Sequence, residues 1–305
     1  MSWNNYSGVS VTPTTGTPAR PRFSLTSDIV GFRRCSRQYG YFGNDGFVPA
    51  HTVQIFYGTI VHQVLDKCHR HYSGLLGGPA RTLPTDADIE NYFDEVEAAL
   101  RAHGVRAINP NIRDRALFVL KAFNRIEGPS LYERVVDTEY RLESEQPGYV
   151  MRGVVDVLAD AKGGDGDVRE IWDYKGTNRP GGSDPALQDY KWQMCVYAEL
   201  YKVRNGIYPT RAVLYFLNEL HTPSGVPPLT ARPPRAVLEV NFTPKMIADA
   251  LREFDLTAHD IINCKSTQTW PSPVTTPGPE TCDICDIRWN CPSHPSGSYP
   301  LRKPV

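Results

Sequence analysis

Apolar residues recur at helical spacing through the first third of the chain and at strand spacing through its middle. From Gly58 onward, Val61, Leu65 and Cys68 fall at i, i+4 and i+7, the stripe of a helix with one face in a core. Similar periodicity predicts helices over 86–103 and 110–127. Residues 25–32 open with a capping signal and predict a short helix that carries Cys35 on its last turn. Past residue 130 the pattern changes. Runs rich in β-branched and aromatic residues at 135–143, 149–159 and 168–174 predict three strands, parted by the turn signals Gln146-Pro-Gly and Lys162-Gly-Gly-Asp-Gly.

A helix at about 186–204, a strand at 211–217 and an edge strand at 236–242 follow. The proline-rich stretch 221–235 excludes regular structure, and 244–263 has the start signal and period of a long helix. Helices, a three-strand meander, a helix, a strand and a closing helix describe an α/β chain with a mixed sheet flanked by helices. The connecting loops are too short for linkers, so one domain is expected over 23–292. It divides into a mostly helical segment 23–130, a core 131–220 and a closing segment 221–292. Flexible tails are expected at 1–22 and 293–305. No internal repeat is visible.

Composition changes this picture little. The 305 residues suffice for one large domain or two small ones, and 40% hydrophobic with 22% charged residues is a globular composition, which excludes disorder. No apolar run approaches the ~20 residues that span a bilayer. The first residues lack the basic region and apolar core of a secretory signal, so a cytoplasmic location is expected. A net charge of −1 gives no global positive field. Arg20, Arg22, Arg33, Arg34 and Arg37 gather near the first cysteine, where a solvated surface and a DNA contact are equally open.

The seven cysteines are more informative. Cys282, Cys285 and Cys291 crowd together as C-x2-C and then x5-C, a pattern of metal ligation in a reducing compartment. Three thiolates leave a fourth position open, and Cys35 near the other end is the candidate for it. Closing so long a loop costs only ~2–3 kcal/mol more than closing a short one, because the entropy grows logarithmically. Structural metal binding, roughly 10–16 kcal/mol for zinc in small peptides, exceeds that. Spacing does not separate Zn²⁺ from a [4Fe–4S] centre. Cys68, Cys195 and Cys264 lie on predicted helices and are expected as small buried hydrophobes.

Two acidic residues close predicted strands. Asp156 ends Gly153-Val-Val-Asp156, and Asp173 stands two residues before Lys175 in Asp-Tyr-Lys. Antiparallel neighbours can bring the two carboxylates together, and such a pair repels unless a cation neutralises it, as in Mg²⁺ and Mn²⁺ sites. Asp173 and Lys175 share a strand face, so Lys175 can orient water or stabilise charge on a phosphate. Acids at strand ends are also ordinary turn formers. Gln193 and Tyr197 share a helix face with Tyr190 and Tyr201, which is equally the pattern of an aromatic core stripe. His62 falls on a different helix face from Val61 and Leu65, while His69 and His71 do not share a single face with it.

In this order, G-x-x-x-H (Gly58, His62), G-x-x-D (Gly153, Asp156), D-x-K (Asp173, Lys175) and Q-x-x-x-Y (Gln193, Tyr197) resemble the PD-(D/E)XK nuclease superfamily. With Cys35 upstream and Cys282, Cys285 and Cys291 downstream, the chain resembles the RecB-like iron–sulfur branch over about residues 25–292. That branch includes the CRISPR-associated exonucleases of family four and AddB-type subunits. Val155 stands where many members have proline. The resemblance implies a restriction-endonuclease-like fold in which His62, Asp156, Asp173 and the backbone carbonyl of Tyr174 hold Mg²⁺ or Mn²⁺. It also implies that Lys175 is catalytic, that Gln193 and Tyr197 support the site or contact DNA, and that the four cysteines hold a [4Fe–4S] cluster.

The implied activity is exonucleolytic hydrolysis of single-stranded or end-bearing DNA, leaving 5′-phosphates. No phosphate-binding G-x-x-x-x-G-K-[ST] loop occurs, so the chain is similar to stand-alone exonucleases rather than to a helicase fusion. A second possibility within the resemblance is a DNA-end-binding subunit that works with a helicase, a recombinase or a CRISPR integrase. A third, outside it, is a zinc-stabilised protein of unrelated function.

Overall fold

A computed structural model describes residues 20–43, 53–107, 109–161, 168–273, 277, 279–282, 285–288 and 291. The expected tails lie outside the described residues apart from 20–22, as do residues 162–167 of the second turn signal. Arg22 is not tail: β1 (Arg22–Ser24) adds a parallel strand to the sheet. Ser24 then caps a wide helical turn, Leu25–Val30, by accepting from Ser27 N–H, while Asp28 accepts from Ser24 N–H at 2.7 Å. The chain continues into α1 (Gly31–Arg34) and α2 (Ser36–Gly43). Cys35 sits between them in an extended conformation rather than on a last helical turn.

Three long helices follow: α3 (Val53–Tyr72), α4 (Asp86–Ala102) and α5 (Pro110–Leu131). Gly58, the expected start of α3, lies inside it, which puts His62 in the middle of the helix. Gly128 and Pro129, ordinarily terminators, remain inside α5 because Glu127 and Leu131 on either side are locked in the core. Then come β2 (Val135–Gln146), β3 (Tyr149–Asp160), β4 (Arg169–Lys175), α6 (Pro185–Asn205), β5 (Arg211–Phe216), β6 (Val237–Val240), α7 (Pro244–Thr267) and the short α8 (Pro279–Cys282). α5, β2 and α7 overrun their expected ends by three or four residues, since burial rather than propensity decides where they stop.

The sheet is mixed. Its main path is β1-β3-β4-β5-β6, with β2 antiparallel to β3, β3 antiparallel to β4, β4 parallel to β5 and β6 antiparallel at the edge. One face packs on α3, α4 and α5 through Val157, Trp172, Tyr174 and Tyr215. The other packs on α6 and α7 through Val155, Leu158, Ile171 and Leu214. Helices therefore cover both faces, as the alternating pattern predicts. Cys68, Cys195 and Cys264 are all buried, as expected. Among the described residues no helix is long and apolar enough to cross a membrane.

The segment after α7 is tied back to the N-terminal helices. Trp270 packs edge-on against Tyr39 and Phe32, with ring centroids 5.8 and 6.4 Å apart. Ser36 Oγ donates to Pro271 O at 2.8 Å, and Arg37 donates to Ser272 Oγ at 3.0 Å. The indole fits because residue 40 is glycine: a Cβ there would stand 2.4 Å from the ring. Gly40→Ala should therefore displace Trp270 and cost ~1–3 kcal/mol, the usual penalty for overpacking. Thermal unfolding of the two proteins side by side measures it, and an unchanged melting temperature would contradict the wedge.

Candidate active site

The ladder between β3 and β4 ends at the pair Val157–Trp172, so the next step opposes Asp156 to Asp173. Beyond that point the β3–β4 ladder stops, and β1 has already ended at Ser24, opposite Arg152, which leaves residues 153–156 of β3 unpaired on that side. The gap is the floor of a cleft of about 860 Å³ that Asp156, Asp173, Lys175, His62, Gln193 and Tyr197 all line. Side-chain alternation slips here. Met151 and Val155 belong to one core layer, whereas Val157 and Ala159 belong to the other.

The two carboxylates have different surroundings. Asp156 Oδ2 accepts the Tyr174 backbone N–H at 2.6 Å, and His62 Nδ1 lies 3.2 Å from Asp156 Oδ1. Burial alone would lower the His62 pKa, but the Asp156 carboxylate, with Asp173 behind it, more than reverses this and raises it to about 9. Burial would raise Asp156, yet His62 and the Tyr174 N–H hold it below the ordinary carboxylate range. Asp173 is 4% exposed and is raised, chiefly by burial; Lys175 opposes the rise and Asp156 adds to it. Its Oδ1 receives Gln193 Nε2 at 3.4 Å. Its Oδ2 lies 2.6 Å from Lys175 Nζ, a buried ion pair.

Lys175 is held from several sides. Its ammonium donates to Gln193 Oε1 at 2.9 Å and lies 4.5 Å from the centroid of the Tyr190 ring. Gln193 Nε2 also donates to the Tyr197 hydroxyl at 3.0 Å, so one amide links lysine, carboxylate and tyrosine. The glycines around the cleft have separate causes. A Cβ on Gly153 would meet the Tyr197 ring at 2.7 Å, and one on Gly176 would meet Tyr57 at 3.1 Å. A Cβ on Gly58 would meet nothing within 4 Å. Gly58 lines the cleft one helical turn before His62 and leaves bare backbone there.

His62, Asp156, Asp173, Lys175, Gln193 and Tyr197 thus meet in one cleft, with Tyr174 contributing backbone. The Tyr174 side chain points into the core, where its hydroxyl meets His69 Nε2 at 2.9 Å. Burial pushes His69 down to about 3 and keeps it neutral, and His71 pairs with Tyr92; neither joins His62. A donor that the motifs did not flag is Glu139 on β2. Ligand atoms of His62, Glu139 and Asp156 lie within 4.8 Å of one another. Asp173 stands outside that trio, engaged with Lys175 and Gln193. The sequence did hold a signal for Glu139: the two-residue turn after Gln146 fixes the hairpin register and, by counting back, sets Glu139 opposite Asp156.

Cys35, Cys282, Cys285 and Cys291 line one small cavity with Arg37 and Arg288. Cys35 Sγ accepts Gln38 N–H at 3.4 Å from the first turn of α2. Burial raises its thiol, the backbone donors of Gln38 and Arg37 lower it, and Cys291 and Cys285 raise it further. The neighbouring arginines are largely taken. Arg20 and Arg22 pair with Glu145 and Glu143, and Arg33 pairs with Asp189 and Glu253 while stacking on Trp192.

A family model described as the PD-(D/E)XK nuclease superfamily matches residues 23–292. No curated protein sequence matches significantly. Among solved structures, one from Eubacterium rectale named "Putative exonuclease" aligns with a TM-score of 0.53 at 12% identity, over 98% of this chain and 97% of its own. The likeness is one of fold. Another, SSO0001, aligns at 16% identity over 87% of this chain and 97% of its own, with a TM-score of 0.35.

In cation-free protein the His62–Asp156 pair makes stability depend on pH. His62 keeps its proton from the ordinary 6.5 up to about 9 in the folded state. Its contribution is therefore complete below 6.5 and lost as pH rises through 9. Thermal unfolding in chelator across that interval should show the decline, and His62→Gln should flatten it.

Proposed function

Because the chain belongs to the PD-(D/E)XK nuclease superfamily, we propose that it is a divalent-cation-dependent DNA exonuclease acting on single strands or free ends. The observation that carries this is the opposition of Asp156 to Asp173 in a cleft where Lys175 is fixed by Gln193 and Tyr190. The donors suit a hard cation: the His62 imidazole and the Asp156 and Glu139 carboxylates converge within 4.8 Å of one another. His62, Asp156, Asp173 and the Tyr174 carbonyl would hold Mg²⁺ or Mn²⁺. Such a cation supplies Lewis-acid activation of water and neutralises charge on the scissile phosphate.

The side chains divide the remaining work. The Tyr174 N–H and His62 fix the Asp156 carboxylate. Lys175 offers a positive donor to a phosphate oxygen as charge develops, and Gln193 and Tyr190 keep the long ammonium stem from wandering. Gly58 leaves room over α3 for a sugar–phosphate backbone. Tyr197 braces Gln193 through the space that Gly153 leaves.

We assign the chain to the RecB-like branch, with a single domain over 23–292 and a [4Fe–4S] cluster on Cys35, Cys282, Cys285 and Cys291. Four thiols around one cavity and an N–H donor on Cys35 Sγ support that assignment. The cluster joins the two ends of the chain. The second reading, a DNA-end-processing subunit acting with a helicase, a recombinase or a CRISPR integrase, is weakened by an intact set of His62, Asp156, Asp173 and Lys175.

With Mn²⁺, the purified protein should degrade labelled single-stranded DNA, whereas Asp173→Ala and Lys175→Ala should each lose at least ~10²-fold in rate. Equal digestion by all three proteins would sink the exonuclease assignment. Activity that appears only on adding a co-purifying integrase or helicase would favour the subunit reading. Cys35→Ala should bleach the brown colour of an iron–sulfur protein and lower melting temperature and activity together. Colourless wild-type protein that carries zinc would remove the cluster but leave the nuclease.

A further inference from the structure

We propose that Glu139 is a direct ligand of the active-site cation, on the same side as His62 and Asp156; the inference rests on the nuclease reading above. β2 and β3 keep one register from Thr138–Val157 to Gln146–Tyr149, and the step between Thr138–Val157 and Tyr140–Val155, where no pair forms, sets Glu139 opposite Asp156. Its carboxylate approaches both the Asp156 carboxylate and the His62 ring, within 4.8 Å.

That arrangement is costly in the free protein. Glu139 has φ 50°, a left-handed backbone that non-glycine residues avoid and that is out of place within a strand. Among the described residues its side chain makes no hydrogen bond or ion pair. Asp66, on the next turn of α3 after His62, lines the same wall and is held there by the Thr138 hydroxyl at 2.5 Å. Asp66, Glu139 and Asp156 thus share this wall with the His62 imidazole, and of the three Asp66 has a further partner in Arg70 at 3.7 Å. Arg152 and Lys175 also line the cleft, and Lys175 is occupied with Asp173 and Gln193.

Across the cleft, Asp173 already has the Lys175 ammonium 2.6 Å from its Oδ2, so the carboxylate left without a hydrogen bond or ion pair among the described residues is Glu139. A hard cation with several oxygen ligands answers it. A purely structural Glu139 would need neither the left-handed backbone nor the approach to Asp156.

The test is Mn²⁺ titration of the chelator-treated full chain by calorimetry, with DNA cleavage measured at several Mn²⁺ concentrations. Glu139→Gln keeps the shape and removes the charge, and should weaken Mn²⁺ binding by about tenfold or more. Its cleavage should recover as Mn²⁺ is raised. Glu139→Gly relieves the backbone, should fold at least as stably as the wild type, and should bind Mn²⁺ as weakly as Glu139→Gln. Wild-type Mn²⁺ affinity in either folded variant would overturn the inference. Asp156→Asn separates that failure from a larger one. If it too binds Mn²⁺ like the wild type, the nuclease reading falls; if it alone loses binding, only the role of Glu139 does.

Discussion

Asp156 and Asp173 face each other where two strands part, in a cleft closed to water on the core side. Their repulsion is the constraint around which the surrounding elements are arranged. The free protein meets it asymmetrically. Asp156 is charged and answered by His62 from α3, and Asp173 is answered by Lys175 from its own strand. Each balancing charge is then fixed by something else. The helix that carries His62 is clamped to the sheet by Phe56, Ile60 and Val61, and Gln193 from the opposite helix layer holds Lys175. Both helix layers thus reach the site through the gap in the sheet.

A second structural theme is the joining of distant chain segments. Trp270 fills the space that Gly40 leaves, and the bonds of Ser36 and Arg37 to 271–272 bring the end of α7 beside Cys35. The cysteine cavity therefore has a protein scaffold of its own, made of aromatic packing and hydrogen bonds. Elsewhere buried Glu127 does a similar job. It accepts two bonds from Arg232 and one from Tyr215, which moors the proline-rich loop to α5. A loop that cannot pair its backbone in a sheet is held by one buried carboxylate instead.

Much of this was legible in the sequence because it follows from period and spacing. The helices, the meander and the mixed sheet came from alternation, and the sharing of a face by Gln193 and Tyr197 came from helical geometry. What was not legible depended on tertiary context. Gly58 reads as a helix start only if a glycine within a helix has no purpose, and Gly128-Pro129 reads as a terminator unless the flanking residues are known to be locked in the core. Cys35 looked helical because local propensity does not register the break that turns its sulfur toward α2. Glu139 was flagged by no motif, and its φ of 50° departs from the extended backbone that strand alternation assumes.

The active-site groups also differ in how far along the chain each must travel. The contact between Tyr174 and Asp156 spans 18 residues, and β2, β3 and β4 follow one another directly. The contact between His62 and Asp156 spans 94, and the bond from Ser36 to Pro271 spans 235. Because loop-closure entropy opposes distant contacts before they are rewarded, assembly has a natural sequence. The meander that opposes the two acids closes at the least entropic cost, the docking of the helix bearing the imidazole costs more, and the joining of Ser36 to Pro271 costs most. The counter-charge of Asp156 is therefore a long-range contact, whereas the acidic pair itself is set by strands that adjoin in sequence.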